Sequence, residues 1–339
     1  MTDSIVQNVK PLGFVWETSD PFLFCVHHQD TYPAGDGKMG PAASLDGRNI
    51  GQDFEPKDGW RMYHGDRVPG FPEHPHRGFE TVTIVLDGVV DHFDSQGAAG
   101  RYGHGDVQWM TAGSGLQHAE MFPLVHEDQP NPLELFQIWL NLPKAAKAAQ
   151  PHYKMLWSES IPVMQSRDDQ GRSTQIRIIA GKFQEASAPA PAPDSWAAAA
   201  ENQVAIWLIT LDPDAEFILP PAADRINRTL YFYEGSSIKV GSTEIPEYHS
   251  AQVSSHEQLM IRNGPEQSRI LLLQGKPIAE PVAQYGPFVM NTQAEIQQAF
   301  TDYQNTRFGG WPWDRSDPVH PSSQGRIARY ADGTEEIKG

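Results

Sequence analysis

The feature that most constrains the fold is a series of short, strand-like segments that end at turn residues. TVTIVLDG (81–88) is rich in β-branched residues and ends at Asp-Gly, and LELFQIWLNLP (133–143) is an apolar run closed by a proline. Similar segments recur at VAIWLITLD (204–212) and RILLLQGKP (269–277). The 29 glycines and 28 prolines supply the turns that such a chain needs. The pattern predicts an all-β protein with a few short helices.

The chain is long enough for two domains, because its 339 residues exceed the usual size of one domain. The composition changes after residue 143, where KAAKAAQPHYKMLWSESIP (144–162) interrupts the strand-like pattern. We therefore predict a first domain at 1–143, a linker at 144–173 and a second domain at 174–339.

One helix is predicted near the end of the chain. TQAEIQQAFTDYQ (292–304) begins with a threonine that can cap a helix, and its apolar residues recur at helical spacing. These residues are Ile296, Ala299, Phe300 and Tyr303. From Trp311 onward the chain is rich in proline, glycine and charge, so an irregular tail is expected there.

The two predicted domains share a sequence rhythm that indicates an internal repeat. TVTIVLDG (81–88) and NRTLYFYEG (227–235) both end at an acidic residue followed by glycine. Superposing Gly88 on Gly235 places Pro221 opposite His74, Ala223 opposite His76 and Asn227 opposite Glu80. The second copy therefore keeps the rhythm and lacks the metal-binding side chains.

Composition narrows the classes of partner. The net charge of −17 would repel a phosphate backbone, so direct nucleic-acid binding is not expected, whereas a small molecule or a protein partner is. No apolar run approaches the roughly 20 residues of a membrane span, and the start of the chain does not resemble a signal peptide. Cys25 is the only cysteine, which excludes an intramolecular disulfide and predicts a small core residue. We expect a cytoplasmic protein without membrane association.

Two groups of residues in the sequence have side chains and spacing that could bind a metal ion. His74, His76 and Glu80 share one face if a continuous strand runs through them, and Pro75 places the start of that strand at an edge. A second pair, His118 and Glu120, is again two residues apart. Three imidazoles and a carboxylate suit a divalent ion such as Fe, Mn, Co, Ni, Cu or Zn.

The remaining histidines are weaker candidates. His27 and His28 follow the apolar FLFCV, so they are either buried and hydrogen-bonded or placed at the mouth of the site. His92 and His104 flank turns and are expected to be solvated. The others have no ligand partners at useful spacing, namely His249, His256 and His320.

Four stretches of the sequence resemble one family. HPHRGFETVTIVLDG (74–88) and GDVQWMTAGSGLQHAEM (105–121) are similar to the two characteristic stretches of pirin, a family with two cupin domains. LLLQGKPIAEPVAQYGPFVMNT (271–292) resembles its C-terminal domain, and GGWPWDRSDPVH (309–320) the tail of bacterial members. The chain departs from the family in FLFCVHHQD and in a longer segment at 35–60.

The resemblance implies two cupin domains in tandem, each a jelly-roll barrel, with metal in the first and a degenerate second domain without metal. The implied metal is Fe²⁺, and the implied ligands are His74, His76, His118 and Glu120. Glu80 occupies the position of the glutamate ligand in the general cupin pattern, and is here expected to support the ligands or the strand.

The resemblance also implies an activity. We expect a quercetin 2,3-dioxygenase-type oxidoreductase that opens a flavonol-like ring with O₂, with Glu120 as metal ligand and general base. The alternative is an iron-dependent redox sensor that binds a transcription factor or a metabolic enzyme. Several apolar residues are either barrel core or the lining of a substrate cavity, namely Phe22, Phe24, Trp109, Met110 and Phe136.

Overall fold

The computed structural model describes residues 5–338, and strands dominate them. In chain order the strands are β1 (Val6–Pro11), β2 (Val15–Trp16), β3 (Phe22–Tyr32), β4 (Gly70–His76), β5 (Phe79–Asp87), β6 (Val89–Asp94), β7 (Ala99–Gly103), β8 (Val107–Thr111), β9 (Leu116–Met121), β10 (Asn131–Asn141), β11 (His152–Leu156), β12 (Val163–Arg167), β13 (Ser173–Ala180), β14 (Lys182–Phe183), β15 (Ala186–Ser187), β16 (Ala205–Leu211), β17 (Glu216–Leu219), β18 (Asn227–Glu234), β19 (Ser237–Val240), β20 (Thr243–Pro246), β21 (His249–Val253), β22 (Leu259–Asn263), β23 (Ser268–Gly275), β24 (Ala283–Tyr285), β25 (Phe288–Met290), β26 (Ile327–Arg329) and β27 (Glu335–Ile337).

The predicted helix is confirmed. Helix α1 (Gln293–Thr306) begins after Thr292, whose side chain accepts a hydrogen bond from the backbone N–H of Glu295. Short 3₁₀ turns are found at Lys144–Ala146, Ser158–Ser160, Trp196–Ala198, Ala200–Asn202 and Arg307–Gly309. No helix in the described part of the chain is both long enough and apolar enough to cross a membrane.

The chain forms two compact units, each built from segments that are distant in sequence. Unit 1 comprises Met1–Val26, Trp139–Asn141 and Glu159–Ala279, and unit 2 comprises His27–Ile138, Leu142–Ser158 and Glu280–Gly339. The predicted ranges 1–143, 144–173 and 174–339 stay a prediction about domains. The compact units differ from these ranges at both ends of the chain, because Met1–Val26 and Trp139–Asn141 belong to unit 1 and Glu280–Gly339 belongs to unit 2.

The tail from Trp311 onward is not wholly irregular, so the expectation of an irregular tail was wrong. Strand β26 pairs antiparallel with β7, placing Ile327 opposite Arg101, and β27 extends the same sheet. Arg101 also donates hydrogen bonds to the backbone carbonyls of Pro321 and Gln324. Pairing with a strand more than two hundred residues away makes this tail regular, and local composition does not reveal such a partner.

Unit 2 has two sheets around one core. The strand orders within this unit are β11-β8-β5-β10-β3 and β27-β26-β7-β6-β9-β4. Core residues come from both sheets, including Val85 and Leu135 from the first and Val90 and Tyr102 from the second. This is a sandwich of antiparallel strands whose inward rows bury apolar side chains, as in a jelly roll.

Unit 1 repeats that architecture with a sheet ordered β1-β21-β18-β23-β16-β13-β12 and a smaller sheet ordered β17-β22-β19-β20. Leu230 and Phe232 project from the larger sheet into a core that also contains Phe217 and Ile261 from the smaller one. Strands β5 and β18 hold equivalent places in their sheets. Strand β5 lies between β8 and β10, and β18 lies between β21 and β23. The structure thus supports the internal repeat read from Gly88 and Gly235, and confirms the all-β, two-barrel fold.

Candidate metal centre

Two neighbouring strands of unit 2 carry three histidines on one face. Strand β4 pairs antiparallel with β9, and the register places His74 opposite His118. A shift of register between Phe71 and His74 adds one residue to β4. Without this residue, Glu73 would stand opposite His118. His76 lies two residues beyond His74 and therefore projects from the same side of the strand.

The three imidazoles converge on a common point. One ring nitrogen from each of His74, His76 and His118 lies within 4.8 Å of the others, the one such group found among the described residues. Nδ1 of His74 is 2.8 Å from the carbonyl oxygen of Pro72, and Nδ1 of His76 is 3.4 Å from that of Pro287. A carbonyl oxygen only accepts, so each Nδ1 carries the hydrogen and each Nε2 keeps a lone pair for a ligand.

The state of these side chains fits a metal ion. Burial lowers the pKa of His74 to about 4 and holds the pKa values of His76 and His118 well below 6.5, so all three rings are neutral at neutral pH. Neither ring nitrogen of His118 has a hydrogen-bond partner among the described residues, although the side chain is fully buried. An unpartnered buried imidazole is costly, and a metal ion would satisfy its lone pair.

Glu120 lies beside His118 and is not part of the group of three converging ring nitrogens. Its Oε2 is 3.8 Å from Nε2 of His118. The Thr83 hydroxyl donates to Oε1 at 3.0 Å, and the Gln137 amide donates to Oε2 at 2.6 Å. Burial raises the pKa of this carboxyl, while the hydrogen bonds oppose that shift. A carboxyl group that is oriented by two donors and has a raised pKa is suited to ligating a cation or to accepting a proton.

The structure corrects the predicted continuous strand through residue 80. Strand β4 ends at His76 and β5 starts at Phe79, with Gly78 at φ +86° between them. Glu80 does not join the histidine group; it is fully buried and accepts a hydrogen bond from the Thr111 hydroxyl at 2.7 Å. This agrees with the expectation that Glu80 has a supporting role.

His92 was expected to be solvated, and that expectation was wrong. The side chain is fully buried, its Nε2 is 3.2 Å from Oδ2 of Asp94, and its ring centroid is 5.5 Å from that of His118. It lies on β6, which pairs with β9 and brings His92 opposite Glu120. The turn after His92 did not indicate this burial, which depends on a strand thirty residues away. His104, by contrast, is exposed as expected.

For His27 and His28 the structure favours the hydrogen-bonded alternative. Nε2 of His27 is 3.0 Å from Oε1 of Glu134, and its ring stacks on Phe136. His28 is 4% exposed, and its Nδ1 is 2.8 Å from the hydroxyl of Tyr63. These contacts give both rings structural partners.

The aromatic neighbours of the histidine group were not among the predicted cavity residues. The ring of Phe71 is 6.3 Å from that of His74, and the ring of Phe79 is 5.0 Å from that of His76. Phe71 precedes His74 on β4 and Phe79 follows His76 after the turn at Gly78, so both could have been found from their closeness to the ligands in sequence. Of the predicted set, four are buried and Phe24 is partly buried, namely Phe22, Phe24, Trp109, Met110 and Phe136. Cys25 is fully buried, as expected of a small core residue.

Comparison with known proteins assigns two family models to separate parts of the sequence. The Pirin family model matches residues 19–140, and the model of the Pirin C-terminal cupin domain matches residues 206–309. Pirin-1 of Arabidopsis thaliana is 36% identical over 258 residues, which cover 71% of this chain and 78% of that protein. A Pseudomonas aeruginosa protein whose name gives quercetin 2,3-dioxygenase as a provisional activity is 35% identical over 239 residues, covering 70% of this chain and 79% of that protein.

A solved structure agrees with these relatives. The crystal structure of quercetin 2,3-dioxygenase from Acinetobacter baumannii matches with a TM-score of 0.67 and 28% identity, over 90% of this chain and 96% of that chain. Sequence, fold and the buried histidine group therefore agree, and the chain belongs to the pirin family.

Proposed function

We propose that unit 2 is a mononuclear metal-dependent dioxygenase of the quercetin 2,3-dioxygenase type, with iron as its metal. The observation that carries the proposal is the convergence of three neutral imidazoles, two buried and one partly buried, beside an oriented glutamate. His74, His76 and His118 would hold the ion through nitrogen, and Glu120 would complete the set through oxygen. Nitrogen and oxygen donors of this kind suit iron and its neighbours in the first transition series.

Glu120 would also act on the substrate proton. When bound, iron supplies Lewis acidity that lowers the pKa of a hydroxyl group held next to it. Glu120 then accepts the proton of the flavonol 3-hydroxyl group, because burial has raised the pKa of its carboxyl and so made it a better base. Thr83 and Gln137 hold the two carboxylate oxygens, so the side chain keeps one orientation while it does so. The overall reaction converts flavonol and O₂ into a ring-opened ester and carbon monoxide.

The surroundings of the histidine group favour an aromatic substrate. Phe71 and Phe79 flank His74 and His76, and Phe71 also packs against Phe54 and Phe122, at centroid distances of 6.3 and 6.1 Å. Aromatic side chains bind flat aromatic rings through offset or edge-to-face contacts. A flavonol offers two such ring systems beside the hydroxyl and carbonyl groups that would face the metal.

The experiment is oxygen uptake by the iron-reconstituted chain with a panel of flavonols. We expect uptake that matches the loss of flavonol and the release of carbon monoxide. His76→Ala removes one proposed ligand and should abolish all three signals. His104→Ala is the matched control, because His104 is exposed and outside the histidine group, and it should retain wild-type activity. No uptake by a wild-type chain with iron bound would refute the proposal.

The regulatory alternative, a redox sensor that binds a transcription factor or a metabolic enzyme, stays a prediction, as does the cytoplasmic location. No contact among residues 5–338 favours a particular protein partner. The oxygen-uptake experiment also tests this alternative, since a chain that binds iron and consumes no oxygen would favour the redox sensor over the dioxygenase.

A further inference from the structure

Unit 1 contains a buried arginine at the end of an inward-facing row. On β18, Leu230 and Phe232 belong to the core, and residues two apart on a strand share a face. Arg228 continues that row toward the start of the strand and is 3% exposed. An arginine is rarely buried to this degree without an anionic partner.

The partners of this guanidinium group are all uncharged. Nε donates to Oε1 of Gln274 at 2.7 Å, and Nη1 donates to the carbonyl oxygen of Pro220 at 3.0 Å. Arg228 forms no ion pair with any other described residue. Nη2 has no hydrogen-bond partner among the described residues, and it is accessible to solvent.

Burial lowers the pKa of Arg228 to about 10, which leaves the group charged at neutral pH. Its positive charge is therefore uncompensated within the described chain. A buried charge without a partner of opposite charge is destabilising, and an anion bound from solution would remove that cost.

A polar cavity of about 220 Å³ adjoins Arg228. It lies at the junction of the start of β18 with the end of β21 and the loop that follows. Its other polar lining residues are Gln7, Ser19, Asn227, Gln252, Ser254, Ser255, His256 and Glu257. At its edge Nε2 of His256 is 3.5 Å from Oε1 of Glu257, and about half of each of these side chains is exposed. The cavity therefore combines one buried cation with hydroxyl, amide and imidazole groups, and has one carboxylate, that of Glu257, at its edge.

Comparison of the two units shows what the second copy has in place of a metal site. The superposition of Gly235 on Gly88 places Arg228 opposite Thr81, which is buried two residues before Thr83 in β5. In unit 2 this end of the barrel has neutral imidazoles that suit a cation. In unit 1 it has a fixed positive charge, which repels metal ions and attracts anions.

We propose that the cavity beside Arg228 binds a small oxyanion, either a phosphate or a carboxylate group. The planar guanidinium group presents parallel N–H donors that match two oxygens of either group. The volume accommodates inorganic phosphate or a short dicarboxylate. The hydroxyl groups of Ser254 and Ser255 and the ring of His256 would contact the remaining oxygens.

The test is calorimetric titration of the full, chelator-treated chain with inorganic phosphate and, separately, with malonate at matched ionic strength. We expect saturable binding of at least one of them. Arg228→Met keeps the length of the side chain and removes its charge, and should weaken binding at least about tenfold. Arg228→Lys keeps the positive charge but loses the parallel N–H donors of the guanidinium group, and should weaken binding less.

Glu257→Gln provides a second, opposite test on an exposed residue. Removing this carboxylate from the edge of the cavity should tighten anion binding about two- to threefold. Binding of phosphate alone assigns a phosphate group, and binding of malonate alone assigns a carboxylate. No binding of either anion, or equal binding by wild type and Arg228→Met, would overturn the proposal. If Arg228→Met does not fold, unchanged or weaker affinity in Glu257→Gln overturns it.

Discussion

Replacing Thr83 with valine removes one of the two hydrogen bonds that orient Glu120, and leaves a side chain of nearly the same shape. Thr83 is 1% exposed, and its hydroxyl donates to Oε1 of Glu120 at 3.0 Å. A hydrogen bond to a charged group contributes about 1.5–3 kcal/mol. If Glu120 ligates the metal, we expect Thr83→Val to lower metal affinity about ten- to hundredfold, as is usual for groups that support a ligand.

The chain offers a matched control in Thr111→Val. Thr111 is fully buried, and its hydroxyl donates to Oε1 of Glu80 at 2.7 Å. Both variants remove one buried hydroxyl that donates to a glutamate, so both should lose about 1–3 kcal/mol of unfolding free energy. Only Thr83→Val should weaken metal binding, because Thr83 contacts Glu120, whose Oε2 is 3.8 Å from Nε2 of His118.

The assay is competition for iron between the protein and a chromogenic chelator, with the unfolding of each metal-free variant measured in parallel. Equal metal affinities for Thr83→Val and Thr111→Val would refute the assignment of Glu120 as a ligand. A loss of affinity confined to Thr111→Val would assign that role to Glu80 instead.

Three further predictions concern stability. Gly78→Ala places a Cβ 2.0 Å from the carbonyl oxygen of Val289 at a φ of +86°, so thermal denaturation should show a loss of at least about 2 kcal/mol. Thr292→Ala removes the cap of α1 and should cost about 1 kcal/mol in chemical denaturation, with Thr292→Ser as the conservative control. For Asp168, hydrogen bonds from the Glu216 backbone and Arg172 outweigh the opposing effect of burial and lower the pKa to about 2. Its contribution to stability is complete above about pH 4 and is lost as the pH falls toward 2, so Asp168→Asn should flatten the acid limb of the stability profile.

Each of these has a clear contrary result. Wild-type stability of Gly78→Ala would show that the loop before β5 adjusts to a side chain. Equal stabilities of Thr292→Ala and Thr292→Ser would mean that the cap does not contribute. Parallel acid denaturation curves for the wild type and Asp168→Asn would show that this carboxyl has the same pKa in the folded and unfolded chains.

Much of the fold was accessible from local sequence patterns. Strand β5 was predicted from its β-branched residues and the Asp-Gly at its end, and helix α1 from the helical spacing of its apolar residues and the capping Thr292 at its start. The register between β4 and β9 was not accessible. It depends on a bulge between Phe71 and His74, and a bulge leaves no mark on the alternation of a short, proline-containing strand.

The histidine group was predicted because strand alternation makes His-X-His and His-X-Glu pairs visible in sequence. The choice between Glu80 and Glu120 was not fixed by alternation, since it depends on the break at Gly78. His92 was misjudged for a related reason: its burial results from pairing with β9, a long-range contact that a turn nearby in sequence does not reveal.

Arg228 illustrates a different limit. Its sequence context, NRTLYFYEG, resembles the metal-bearing segment in rhythm, and only the absence of histidines was read from it. That the arginine lies on the inward row without an anionic partner becomes visible only when β18, β23 and the loop after β17 are placed around it.

The most direct test of the account is the metal content of the reconstituted chain, measured by elemental analysis after removal of loosely bound ions. We expect about one iron per chain in the wild type and in His104→Ala, and a loss of at least about 90% in His118→Ala, since a missing ligand lowers affinity steeply. Wild-type iron content in His118→Ala, or no retained iron in the wild type, would contradict the assignment of His74, His76, His118 and Glu120 as the metal centre.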